Sequence, residues 1–67
     1  MVKNGDDIRS RVISAIKDNN NSITVAELQE REITKTNIAA YMILESMRRD
    51  GICKREEGEK CWRLVNP

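Results

Sequence analysis

The sequence predicts a small α+β domain: three helices, a short strand after the first, and a C-terminal two-stranded β-hairpin. Three observations predict it. Apolar residues recur at helical spacing over residues 6–18 and again over residues 35–50. Thr24 and Glu27 have the T-x-x-E spacing of a capping box, which marks the start of a helix between those two. After Gly51 the pattern turns strand-like, with two extended segments flanking a glycine.

The first helix is expected over residues 6–18, after a loose N-terminus of residues 1–5. Ile8, Val12, Ala15 and Ile16 make one apolar stripe, with Ile13 beside it. Asp6 and Asp7 stand at its start, where carboxylates suit the helix dipole. The tract DNNNS ends it, because asparagine tolerates the left-handed conformation. Ile23 and Thr24 are β-branched and suit a brief strand pairing. A second helix over residues 25–31 buries Val25 and Leu28. A third, over residues 35–50, is capped by Thr34 or Thr36 and stopped by Gly51. Ala40, Ile43, Leu44 and Met47 fall within an arc of about 100°, which makes them its core face. The segments ICKRE and KCWRLV then close a hairpin over residues 52–65 around the loop EGE. Trp62 and Leu64 share one strand face; Cys61, Arg63 and Val65 share the other.

At 67 residues the chain is one domain. A chain this short buries only about 60% of its unfolded surface. With no Phe, one Trp and one Tyr, the core must be aliphatic. Twelve basic residues against eleven acidic leave a net charge of +1, so the placement of charge, not its total, decides the partner. The N-terminal stretch MVKNGDDIRSRV has no apolar run, and no segment approaches the roughly 20 apolar residues of a membrane span. A cytoplasmic protein with no membrane contact is expected.

Several motifs together resemble a winged helix-turn-helix domain. TVAELQEREITKTNI, residues 24–38, resembles the bacterial pattern of a capped A-E-L helix followed by an I-[ST]-K-[ST] lead-in to a recognition helix. LESMRRDGICKR, residues 44–55, is similar to the end of that helix and the first wing strand, and WRL, residues 62–64, to the aromatic-x-Leu of the returning strand. The resemblance covers nearly the whole chain and extends to small bacterial regulators of fimbrial operons and to small phage and plasmid regulators. The link between the second and third helices is about one residue shorter than in those proteins and lacks their common glycine. Asn37-x-x-x-Tyr41 with Trp62 also resembles Z-DNA-binding domains. Here the spacing from Tyr41 to Gly51 is about one turn longer, Ile33 stands where that family has Lys, and the hairpin lacks its prolines.

What the winged-helix resemblance implies is double-stranded DNA binding and transcription regulation, with the third helix in the major groove and the wing along the backbone. The positions that would face DNA are Lys35, Thr36, Asn37, Ile38, Tyr41 and Met42, joined by Lys54 and Arg55 from the wing. Asn37 suits bidentate reading of adenine, and Ile38 and Met42 suit thymine methyls. Lys35, Thr36, Lys54 and Arg55 suit phosphate oxygens. Glu45 opposes this reading, since a carboxylate near phosphates repels them. Glu56, Glu57 and Glu59 make the hairpin tip acidic, and cross-strand ion pairs are expected there. The alternative is a protein-interaction domain that uses Ile38, Tyr41 and Met42 as an apolar contact patch. One small domain with few cations binds weakly alone, so a homodimer or a larger protein partner is expected to supply the rest.

Cys53 and Cys61 are expected roughly across the hairpin from one another. Winged helices linked to ferrous-iron transport carry cysteine-rich wings, but two cysteines with no His fall short of a zinc set. Free thiols are the expected state, with no metal and no cofactor. The chain also lacks a base, a phosphate loop and a nucleophile constellation, so neither an enzyme nor a small-molecule substrate is expected.

Overall fold

The computed structural model describes the backbone of residues 4–66 and the side chains of residues 8–66. Among the described residues the chain forms three helices and one two-stranded antiparallel sheet: α1 (Asn4–Asp18), α2 (Val25–Glu30), α3 (Asn37–Arg49), β1 (Cys53–Lys54) and β2 (Arg63–Leu64). This small α+β arrangement is compatible with a winged helix-turn-helix.

α1 starts two residues before its expected position, so of the expected loose N-terminus Asn4 and Gly5 are helical, and residues 1–3 lie outside the described residues. The side chains of Asp6 and Asp7 lie outside them too. The apolar stripe falls where the periodicity puts it, with Val12, Ala15 and Ile16 buried and Ile8 and Ile13 packed beside them. The asparagine tract that follows is ordered by specific bonds. Asn20 and Asn21 are left-handed, at φ 61° and 57°. Asn19 Nδ2 donates to the Ser22 carbonyl at 2.6 Å and to Glu27 Oε2 at 3.1 Å. Asn21 Oδ1 accepts the Leu64 amide at 3.1 Å, which ties this turn to the last strand.

The capping box of α2 is complete. The Glu27 amide donates to Thr24 Oγ1 at 3.1 Å, and the Thr24 amide donates to Glu27 Oε1 at 2.8 Å. Those bonds satisfy amides that a helix start otherwise leaves open. The second of them, donated by the Thr24 amide to the carboxylate, is also the main reason the Glu27 carboxyl sits below its usual range.

α2 and α3 end in the same way. Ile33 N bonds Leu28 O at 3.1 Å and Glu32 N bonds Gln29 O at 2.9 Å; Ile52 N bonds Met47 O at 2.9 Å and Gly51 N bonds Arg48 O at 3.0 Å. Each is a helix end closed by a left-handed residue, with an apolar side chain after it folding back on the core. At α3 the left-handed residue is Gly51, φ 79°; at α2 it is Glu32, φ 60°. Glu32 therefore stands in a conformation that suits glycine. α2 stops at Glu30, with Arg31 as its cap, one residue short of expectation. α3 is shorter at both ends than residues 35–50, because Thr36 is its N-cap and Asp50 its C-cap. Thr34 is not a cap: it is buried, and its hydroxyl donates to the Thr36 carbonyl at 3.3 Å.

The hairpin departs most from expectation. Over residues 52–65 the ladder holds two residue pairs, Cys53 with Leu64 and Lys54 with Arg63. Residues 55–62 form a longer connection, turning at Gly58 (φ 84°), with the Glu59 amide on the Glu56 carbonyl at 3.0 Å. Trp62 pairs elsewhere: it makes an antiparallel bridge to Ile23, with N–H···O bonds of 2.7 and 3.0 Å in the two directions. Cys53 consequently faces Leu64, and Cys61 is not its cross-strand neighbour. Nor are cross-strand ion pairs seen among the described residues; Arg63 pairs with Glu59, four positions away, at 3.1 Å.

The core draws Val12 and Ile16 from α1, Leu28 from α2, Ala40, Leu44 and Met47 from α3, and Ile23, Cys53, Trp62 and Leu64 from the extended segments. It is aliphatic around one indole. No helix of the described residues is long and apolar enough to cross a membrane.

Candidate nucleic-acid interface

Packing fixes which face of α3 is left over. Ala40, Leu44 and Met47 are committed to the core. At about 100° per residue the opposite face carries Ile38, Met42, Glu45 and Arg49. Ile38 is 73% and Met42 64% exposed, two large apolar side chains four positions apart on the solvent face of the helix. Lys35 and Thr36 lead into this face. The Thr36 hydroxyl accepts the Ala39 amide at 3.0 Å, so its first role is to cap the helix.

Glu45 does not stand on this face as a free charge. Arg48 reaches back to it, with Nη2 2.9 Å and Nε 3.2–3.3 Å from the carboxylate oxygens. The Arg48 bonds are the main reason its carboxyl sits below the usual range, and the charges of Arg55 and Arg49 add to the effect. The group that opposes a polyanion is thus largely neutralised within α3.

The third part is a groove of about 390 Å³ between the start of α2, the first turns of α3 and the hairpin connection, lined by Thr24, Asn37, Tyr41, Arg55, Lys60 and Trp62 among others. Its floor is aromatic. The Tyr41 ring meets Trp62 edge-on, with centroids 5.9 Å apart and planes at 79°. The Arg55 guanidinium lies over the indole, 4.9 Å from its centroid. Such a contact holds the cation in place at the cost of little solvation.

Of the residues expected to contact DNA, the structure brings Asn37, Tyr41 and Arg55 into this groove. Ile38 and Met42 stand on the outer face of α3, and Lys35 and Thr36 at its start. Lys54 is exposed in β1 and lies outside the groove. Sequence reasoning left three participants out of the site. Arg49 follows Ile38 by eleven positions, three turns along the same face, a signal present in the periodicity. Lys60 and Trp62 reach the groove only because the connection is long and Trp62 pairs with Ile23, neither of which the local pattern shows.

Both cysteines are free. Cys53 is buried, with Sγ 3.4 Å from the Leu44 carbonyl, and burial pushes its thiol up to about 11. No group of three or more potential metal ligands exists among the described residues. Comparison with protein families, curated proteins and solved structures finds no match to this chain.

Proposed function

We propose that the chain is a winged helix-turn-helix domain that binds duplex DNA as a small transcription regulator of bacterial or phage type. In this reading the outer face of α3 enters the major groove, and the hairpin flanks it along the phosphates. Asn37, Thr36 and Tyr41 meet base edges or the adjoining backbone; Ile38 and Met42 meet thymine methyls. Lys35, Lys54 and Arg55 meet phosphates.

The observation that carries the reading is the charge around α3. Among the described residues Lys35, Arg49, Lys54, Arg55 and Lys60 have no carboxylate within ion-pair distance, while Glu45 is held by Arg48 and Glu59 by Arg63. Glu56 and Glu57 at the hairpin tip are unpaired as well, so among the described residues α3, its lead-in and the hairpin carry five unpaired cations against two unpaired acids in a chain of nearly neutral total charge. The test is fluorescence anisotropy of labelled mixed-sequence and genomic duplexes at low and physiological salt. Binding that weakens steeply with salt, and is lost when Asn37→Ala is combined with Lys54→Ala and Arg55→Ala, is the expected result. Absence of binding at tens of micromolar in low salt would overturn it.

A second reading is favoured by the exposure of Ile38 and Met42: α3 as a contact patch for a protein partner, with Tyr41 at its edge. Met42→Asp separates the two. It abolishes a protein contact seated on this patch, whereas DNA binding carried by backbone contacts survives it in weakened form.

A further inference from the structure

The floor of the groove beside α3 limits what can occupy it. Trp62 is 1% exposed. Arg55 lies over one face and Tyr41 packs against the ring at 79°, so the buried indole offers no free surface on which a base could stack. Single-stranded recognition through aromatic platforms needs such a surface. Two cations, a phenol and a carboxamide remain on the walls: Arg55, Lys60, Tyr41 and Asn37. No Asp or Glu lines the groove. Arg55, held over the indole, loses less freedom on binding an anion than a solvated arginine would.

We infer that this groove seats a backbone phosphate of the duplex, with Arg55 and Lys60 neutralising it, Asn37 and Tyr41 hydrogen-bonding its oxygens, and Trp62 positioning Arg55 and Tyr41 from below. The inference rests on the duplex-binding reading and refines it. Asn37 and Tyr41 move from base edges to the backbone, and Lys60 joins the contact set. The outer ridge of Ile38, Met42 and Arg49 then remains to meet the bases.

Trp62 is the only tryptophan, so its emission reports on this groove alone. The experiment follows anisotropy of a labelled duplex of about 20 base pairs and tryptophan emission in one titration, over a salt series. The expected result is binding accompanied by a change in Trp62 emission. Arg55→Gln with Lys60→Gln, both at exposed positions, then lowers the log–log salt slope by about 1, the loss of one neutralised phosphate. Lys17→Gln on α1 leaves the slope unchanged. Tyr41→Phe weakens binding without changing the slope, because it removes a hydrogen bond and no charge.

Duplex binding with unchanged emission and an unchanged slope in the double variant would overturn the groove while leaving the duplex reading in place. No duplex binding at all would overturn both. An emission change with inorganic phosphate alone, and none with duplex, would reassign the groove to a free anion and overturn the inference.

Discussion

Arg48 Nη2 stands 2.9 Å from Glu45 Oε1, one turn back on the same helix, and this pair decides the sign of the outer face of α3. Removing the acid should therefore strengthen a polyanion contact. Glu45→Gln releases Arg48 and deletes a negative charge, and duplex affinity at low salt should rise several-fold. The gain should shrink as salt is added, because screening weakens the attraction that Arg48 gains. Anisotropy titrations of both proteins at two salt concentrations check it. Unchanged or weaker binding by the variant would place the contact surface away from α3.

Glu32 carries a side chain in a left-handed conformation that closes α2, φ 60°. A residue with a Cβ is strained there by about 1 kcal/mol relative to glycine, of which the greater freedom of unfolded glycine takes back a part. Glu32→Gly is expected to stabilise the domain by about 0.5 kcal/mol, read as a higher urea midpoint with an unchanged slope. Gly51→Ala, the reverse change at the matching position of α3, should destabilise by about 1 kcal/mol.

The capping box gives a pH dependence of known sign. The Glu27 carboxyl sits below its usual range, chiefly because the Thr24 amide bonds the ionised form. Its stabilisation is present above the unfolded carboxylate range, about pH 4.3, and is lost as pH falls through the lower folded value. Thr24→Ala should cost about 1 kcal/mol at pH 7. Glu27→Gln should destabilise at pH 7, with the difference from the parent closing in acid. Urea melts at pH 7 and pH 3 test this; equal differences at both would sink the assignment.

The cysteines should separate under alkylation. Cys53 is buried and pushed up to about 11, first by burial and then by the Glu45 charge. Iodoacetamide at pH 8 should modify Cys61 before Cys53, as peptide mapping would show. The raised thiol also predicts an alkaline loss of stability. The contribution is intact below the unfolded thiol range, about pH 8.5, and is lost as pH rises toward 11. Cys53→Ala should remove that component from the melt-versus-pH curve.

Legibility in the sequence followed the range of the interactions. The stripe of Val12, Ala15 and Ile16, the core face of α3 and the Thr24–Glu27 box depend on neighbours within a turn or two, and their spacing displays them. The stop at Gly51 is equally local. The hairpin is not. Its register depends on Trp62 choosing Ile23 and on Asn21 taking the Leu64 amide, contacts between distant parts of the chain. From the alternation alone, a tight three-residue loop around Gly58 and Cys61 facing Cys53 were reasonable expectations; the turn does fall at Gly58, but the tight loop and the Cys53–Cys61 pairing failed for that reason. The groove was lost with the register, since Lys60 reaches Tyr41 and Asn37 only when the connection is long. Glu45 was misjudged differently: composition shows a carboxylate on the face, and only the Arg48 rotamer shows that it is paired.

The Ile23–Trp62 bridge also sets an order of events during synthesis. Ile23, Val12, Ile16 and Leu28 are all translated well before Trp62 and Leu64, which belong to the same core. While the ribosome still holds the last segment, α1 and α2 can coil, but their apolar faces have no lid. The domain therefore closes late, as a clasp that shuts when its final strand emerges, and a nascent chain stalled before Trp62 would present an open apolar cleft to chaperones and proteases.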